Sequence, residues 1–323
     1  MNSRQLLKAA ISVVLFSVVL LVPAAFPADK NAASSAAALP GTKSGFVTTA
    51  DGVKIHYLHA GQKLGFIQQD GKTVKGTAWP SPAILFVPGW TMPAWIWEHQ
   101  ISHFSKTHRV VAIDPRGQGE SSKPTDGYYP AARARDIKAV MDQLRLAPVV
   151  LVGWSMGVGE VVSYVDQFGT KDLAGVMLVD GIAGADPNPQ MMSALMAFAG
   201  NFLKEREKFT EGFVRSMYKK PQTEPYIQKV IAASKQTLTT AGVALFVGAF
   251  TTDNRPALAK IDKPALICIA PGGPWDALYD DMQKRTPGSR LEKFDGAGHA
   301  LFVDDAAKFN ALLDDFITRI RKP

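Results

Sequence analysis

From residue 46 onward, short runs of β-branched and apolar residues alternate with segments whose apolar positions recur at the helical period. The strand-like runs are "GFVTT", "KIHYLHAG", "AILFVPG", "RVVAIDP", "VVLVGWS", "LAGVMLVDG", "PALICIA" and "SRLEKFDG". The first two are separated only by "ADG", which predicts an antiparallel hairpin at one edge. The later ones are separated by helical segments: "PAWIWEHQISHFS", "YYPAARARDIKAVMDQL", "VGEVVSYVDQF", "WDALYDDMQKR" and "DDAAKFNALLDDFITRIRK". Strand and helix in alternation predict an α/β fold, a mostly parallel eight-stranded sheet flanked by helices. No short internal repeat appears. "GQKLGFIQQDGKTVKGTAW" is longer than a simple connection and reads as an extended hairpin.

One interval breaks the rhythm. Between "LVDG" and "PALICIA" the apolar residues follow helical spacing, with Met191, Met192, Leu195, Met196, Phe198, Phe202 and Leu203, then Phe213, Met217 and Tyr218, then Leu245, Phe246 and Phe250. This predicts an inserted helical cap over 183–258, dividing the core into 46–182 and 259–323. Most of these Met and Phe side chains are expected in helix cores and a subset against a pocket. The cap is expected to bury the substrate.

At the N-terminus, Arg4 and Lys8 precede an uncharged apolar run from Ala9 to Val22, followed by small residues. The run falls short of the roughly 20 residues a spanning helix needs. The layout predicts a signal peptide over 1–24, with Val22 and Ala24 as the small-residue cleavage pattern and Ala28 as a second choice. The expectation is export, periplasmic or secreted, with no stable membrane insertion after cleavage; an uncleaved membrane anchor is the alternative. Residues 25–45, rich in Ala and Ser, read as a flexible leader.

Composition refines this modestly. With 323 residues, 46% hydrophobic, the chain can bury a sizeable core. The formal charge of +7 comes from scattered Lys and Arg without a basic block, which predicts a soluble basic enzyme and no nucleic-acid partner. The single cysteine, Cys268, excludes an internal disulfide and sits in an apolar run where a core thiol is expected.

The chemistry centres on "VVLVGWSMGVGEVVSYV". Ser155 lies between Gly153 and Gly157, after a β-branched strand and before a helix. That setting suits a strained serine whose hydroxyl projects above a sheet, with a helix N-terminus aimed at any oxyanion. A serine nucleophile needs a base. Of six histidines, His56 and His59 fall in the early hairpin, and His99, His103 and His108 on or just after the first helix. His299 lies in the glycine-rich "FDGAGHALFVDD", between the last strand and the last helix, and is the candidate base. The orienting carboxylate is assigned to Asp276, after a strand and before a helix in the chain order Ser, Asp, His. Asp180, ending the preceding strand, is the alternative; Asp253 and Asp280 are weaker. For the oxyanion hole, the backbone N–H of Met156 is one donor and that of Trp90, in "PGWTMPAW", the other, with Gly89 permitting close backbone approach. Pro88 has no N–H.

These residues resemble the α/β-hydrolase superfamily over nearly the whole chain from about residue 46. "GWSMG" is similar to its nucleophile elbow and "DPRGQGESS" to the glycine-rich turn many members carry after the fourth strand. "PGWTMPAWIWEHQ" together with "GWSMGVGEVVSYV" most resembles the arylesterase, perhydrolase and cofactor-free haloperoxidase group. The resemblance implies the hydrolase fold, a Ser155–Asp276–His299 triad, and no cofactor or metal. Where the family usually has His-Gly, this chain has Pro88-Gly89, without the side chain that braces the oxyanion loop. A serine at the elbow argues against haloalkane dehalogenase and epoxide hydrolase chemistry, which use aspartate there. The expectation is a carboxylesterase-like serine hydrolase acting on a small apolar ester, with perhydrolase side activity. The alternatives are a non-catalytic small-molecule-binding protein of the same fold and a hydroxynitrile-lyase-type enzyme.

Overall fold

The computed structural model describes residue 39, 41–61, 68–69, 72–73, 82–273 and 275–321. The expected signal peptide over 1–24 and most of the expected leader lie outside the described residues, as does most of the 61–79 connection. Within that connection, Gln68–Gln69 pairs antiparallel with Lys72–Thr73.

Eight strands form one sheet: β1 (Lys43–Thr48), β2 (Lys54–Ala60), β3 (Ala83–Val87), β4 (Val110–Ile113), β5 (Val149–Trp154), β6 (Leu173–Val179), β7 (Ala265–Ile269) and β8 (Arg290–Lys293). Their order across the sheet is β1-β2-β4-β3-β5-β6-β7-β8. β1 and β2 form the expected antiparallel edge hairpin, β2 is also antiparallel to β4, and every other pairing is parallel. The central strands "AILFV" and "VVLVGW" are buried along their whole length. Helices cover both faces of a parallel sheet, so its inner strands carry continuous apolar runs instead of alternating ones. The edge strand β8, "RLEK", is only partly buried and polar at three of its four positions.

The covering helices follow the patterned segments. A 3-10 turn (Ala94–Trp97) leads into α1 (Glu98–Phe104); α2 (Pro130–Gln143) and α3 (Met156–Phe168) come next. Pro130 opens α2, where its missing N–H is unneeded and its fixed φ suits the helix. Between β6 and β7 run α4 (Pro189–Lys204), α5 (Arg206–Ser216), α6 (Glu224–Lys235), α7 (Thr239–Thr251) and the short α8 (Arg255–Leu258). After β7 come α9 (Asp276–Arg285), α10 (Leu301–Asp304) and α11 (Ala306–Arg321). α11 lies against the sheet at Gly175 of β6, where a Cβ would come within 2.7 Å of Ile320 and 2.9 Å of Phe316.

Two apolar clusters result. The larger joins β3, β5, β6 and β7 to α2 and α3; each fully buried Val, Leu or Ile there contributes about 1.5–3 kcal/mol relative to exposure. The smaller gathers Trp90, Tyr128, Phe202, Ala241 and Leu245, with Met156, Phe198, Phe209, Phe213, Val243 and Phe246 packed around them. Cys268, inside β7, is completely buried, and burial pushes its thiol pKa up. Among the described residues no single helix is long and apolar enough to cross a membrane.

Candidate active site

The elbow between β5 and α3 is built by sterics. Ser155 takes φ 56° and ψ −120°, a conformation unfavourable for a side-chain-bearing residue. Its flanking glycines are required by backbone atoms: a Cβ on Gly153 would meet Gly157 O at 2.5 Å, and one on Gly157 would meet Val87 O at 2.8 Å. Gly89 and Gly181 close in from neighbouring strand ends, where a Cβ would lie 2.9 Å from Ser155 Cβ and 2.2 Å from Ser155 O, respectively. Among the described residues, four that are not glycine have positive φ, and three of them, Thr91, Ser155 and Asp180, follow the adjacent strands β3, β5 and β6. Backbone strain of this kind persists where surrounding structure enforces it, and it concentrates at functional sites.

His299 Nε2 is 2.8 Å from Ser155 Oγ, and His299 Nδ1 is 2.7 Å from Asp180 Oδ2. An ionised carboxylate only accepts, so Nδ1 carries the proton toward Asp180 and Nε2 offers its lone pair to the serine hydroxyl. Asp180 is buried; its Oδ1 accepts from Ala270 N–H at 2.7 Å and from the Tyr279 hydroxyl at 3.2 Å. Burial and the adjacent Asp180 charge push the Tyr279 phenol pKa up, so it remains a donor. The Trp154 indole N–H donates to the His299 carbonyl at 2.9 Å, fixing the histidine loop over the elbow.

The orienting acid therefore differs from the one expected first. Asp276 is not at His299; it begins α9 and its Oδ2 accepts from Gly272 N–H at 3.0 Å, closing its own loop. The reason lies in the sheet order. β6 is hydrogen-bonded directly to β5, so Asp180, one residue past β6, emerges beside the elbow. β7 is one strand farther away, and Asp276 follows it only after a loop. Chain order Ser, Asp, His is satisfied by either residue and cannot separate them.

The two expected oxyanion donors lie in the turns that follow neighbouring strands, β3 and β5. Met156 begins α3, and Trp90 follows Gly89 in the loop after β3; among the described residues neither backbone N–H has a protein acceptor. The Trp90 side chain reaches the cap: its indole N–H donates to Gly242 O of α7 at 2.7 Å. Next to it, Thr91 Oγ1 and Ser234 Oγ of α6 share a buried hydrogen bond of 2.8 Å. The Trp90 ring sits among Phe198, Phe202, Phe213 and Phe246, with centroids 4.8–5.6 Å away. These tilted and edge-on contacts suit aromatic quadrupoles. Of the cap residues singled out by periodicity, Phe198, Phe202, Phe213, Leu245 and Phe246 belong to this cluster, whereas Met196 and Leu203 are exposed.

The cap also grips the histidine loop. Asp304 Oδ2 accepts from Gly298 N–H at 2.8 Å and Lys219 N–H at 2.7 Å, and Ala300 N–H donates to Met217 O at 2.9 Å. Sequence reasoning did not pick out Trp154, Gly181 or Asp304. Trp154 alone carried a signal, as a bulky indole inside the G-x-S-x-G string.

Known proteins resemble the chain over most of its length. The model of the alpha/beta hydrolase family matches residues 84–312. Non-heme chloroperoxidase CPO-A1 of Kitasatospora aureofaciens is 28% identical over 289 residues, covering 84% of this chain and 98% of that protein. The bifunctional esterase/perhydrolase DCH of Acinetobacter calcoaceticus is 26% identical over 289 residues, covering 84% and 99%. Among solved structures, an esterase from Exiguobacterium antarcticum superposes with a TM-score of 0.74 at 24% identity, covering 84% of this chain and 98% of that one. The chain belongs to the alpha/beta hydrolase family.

Proposed function

We propose that the protein is a serine hydrolase that cleaves carboxylic esters of small apolar substrates through an acyl-enzyme. The observation that carries this reading is the relay of 2.8 Å from Ser155 Oγ to His299 Nε2 and 2.7 Å from His299 Nδ1 to Asp180. His299 takes the Ser155 proton as Oγ attacks the ester carbonyl, and the tetrahedral oxyanion is held by the Trp90 and Met156 N–H groups. The imidazolium, stabilised by Asp180, then protonates the leaving alkoxide, and the alcohol departs. Water, deprotonated by His299, attacks the acyl-enzyme; the carboxylic acid leaves and Ser155 regains its proton. Hydrogen peroxide in place of water would yield a peracid, consistent with the perhydrolase named among the relatives.

The aromatic cluster around Trp90 supports an apolar acyl or aryl group, because it supplies polarizable surface with few polar partners. No residue of this mechanism calls for a cofactor. We further propose export, on the residue pattern of 1–24, with mass measurement of the recovered protein as the check: loss of the first residues supports it and retention of Met1 with membrane association contradicts it.

The test of the activity is a panel of p-nitrophenyl esters of increasing chain length, with Ser155→Ala alongside wild type and with stoichiometric fluorophosphonate labelling. The variant should keep its fold and lose nearly all turnover and all labelling. Wild-type turnover in Ser155→Ala would overturn the assignment. Binding of esters without turnover or labelling in the wild type would favour a ligand-binding protein.

A further inference from the structure

The oxyanion loop of this chain has Pro88 where related proteins are expected to have a bracing histidine, and the structure supplies another brace. The Gln118 side chain, fully buried, donates from Nε2 to two carbonyls of that loop, Gly89 O and Met92 O, each at 2.9 Å. Its Oε1 accepts from Arg133 Nη2 at 3.1 Å. Arg133 is in turn 3.0 Å from Glu160 of α3, and both are buried. Arg133 Nη1 also lies 3.7 Å from Met156 Sδ. The chemistry of the neighbours settles the amide's orientation: carbonyls only accept and a guanidinium only donates, so the NH₂ must face the loop and the oxygen must face Arg133.

We infer that Gln118 is a positioning residue that sets the distance between the two oxyanion donors, linking the Trp90 loop through Arg133 and Glu160 to the helix that begins at Met156. The inference rests on the serine-hydrolase reading above. Gln118 touches neither substrate nor reacting atoms; it acts through the Gly89–Met92 backbone. A glutamine suits the position because one side chain must be a double donor on one side and an acceptor on the other. Glutamate would set an acceptor against two carbonyls, and a hydrocarbon would delete the contacts to Met92 O and Arg133 and leave Gly89 O with only the Met92 N–H at 3.2 Å.

Gln118→Met and Gln118→Glu keep the side-chain length, and Gln118→Asn keeps the amide but withdraws it by one methylene, providing the mildest disturbance. For each folded variant, kcat and KM for p-nitrophenyl acetate are measured per site titrated with a fluorophosphonate, and phenylboronic acid affinity by calorimetry. A displaced oxyanion loop predicts a kcat loss of about tenfold or more for Met and Glu, and a smaller loss for Asn, with KM within about twofold. Boronate affinity should fall in proportion to kcat, which a purely structural role would not produce. Per-site kcat and boronate affinity matching wild type in the folded variants would overturn the inference while leaving Ser155-dependent hydrolysis standing. If wild type shows no Ser155-dependent turnover and no Ser155-dependent boronate binding, the hydrolase reading fails and the inference falls with it.

Discussion

The elbow and the inserted helices hold the Ser155 and His299 loops by different physical means. At the elbow the constraints are steric: Gly153 and Gly157 leave no room for a Cβ, Gly89 and Gly181 press in from neighbouring strand ends, and Ser155 is held at positive φ between a fully buried strand and a helix N-terminus. In the cap, long-range contacts do the corresponding job. Ser234 of α6 and Gly242 of α7 hydrogen-bond the loop after β3, and Met217 and Lys219 hold the loop that bears His299. The difference teaches that the inserted helices hold the Trp90 and His299 loops through hydrogen bonds, a role separate from the substrate burial expected of them from the sequence.

Trp90→Phe breaks this comparison most sharply. It keeps an aromatic ring in the cluster and deletes the indole donor to Gly242 O. If the cap braces the oxyanion loop, kcat for the smallest ester, p-nitrophenyl acetate, should fall about tenfold with KM little changed. A change confined to the preference among long-chain esters would mean that the cap only bounds the pocket.

A smaller effect sharpens the core side. Burial pushes the Glu160 carboxyl up to about 7, against the opposing pull of the Arg133 charge. A carboxyl whose folded pKa is raised above its unfolded value of 4.5 adds stability that is fully present below 4.5 and is lost as pH rises through about 7. Glu160→Gln cannot titrate, so the melting temperature of wild type should fall relative to this variant between pH 4.5 and 7. The slope is at most about 1.4 kcal/mol per pH unit. A difference constant with pH would show that Glu160 stays ionised beside Arg133.

Much of this architecture was legible in the residues. The eight strands, the edge hairpin and the helix-bearing interval after "LVDG" follow from periodicity, because a covered parallel sheet and amphipathic helices leave different spacings. Ser155 and His299 stood out because an elbow and a glycine-rich loop are local signals. The carboxylate was not separable in the same way: Asp180 and Asp276 both follow strands, and only the adjacency of β6 to β5 brings the first of them to the histidine. Gln118 and Asp304 were illegible for a related reason. The partners of Gln118 lie 15–29 residues away, and Lys219, a cap partner of Asp304, lies 85 residues away, in segments that no short motif joins to them.

The pairing of Asp180 with His299 is the central geometric claim, and one comparison tests it most directly. Asp180→Asn and Asp276→Asn keep side-chain size and remove one charge each, so kcat for a simple p-nitrophenyl ester near neutral pH, with circular dichroism confirming the fold, isolates the orienting role. Asn at position 180 should misdirect the imidazole tautomer and lower kcat about ten-thousandfold, the scale known for the equivalent change in a serine protease. Asp276→Asn should stay within a few-fold of wild type, since that carboxylate only closes its own loop. A crippled Asp276→Asn beside a nearly normal Asp180→Asn would contradict the account.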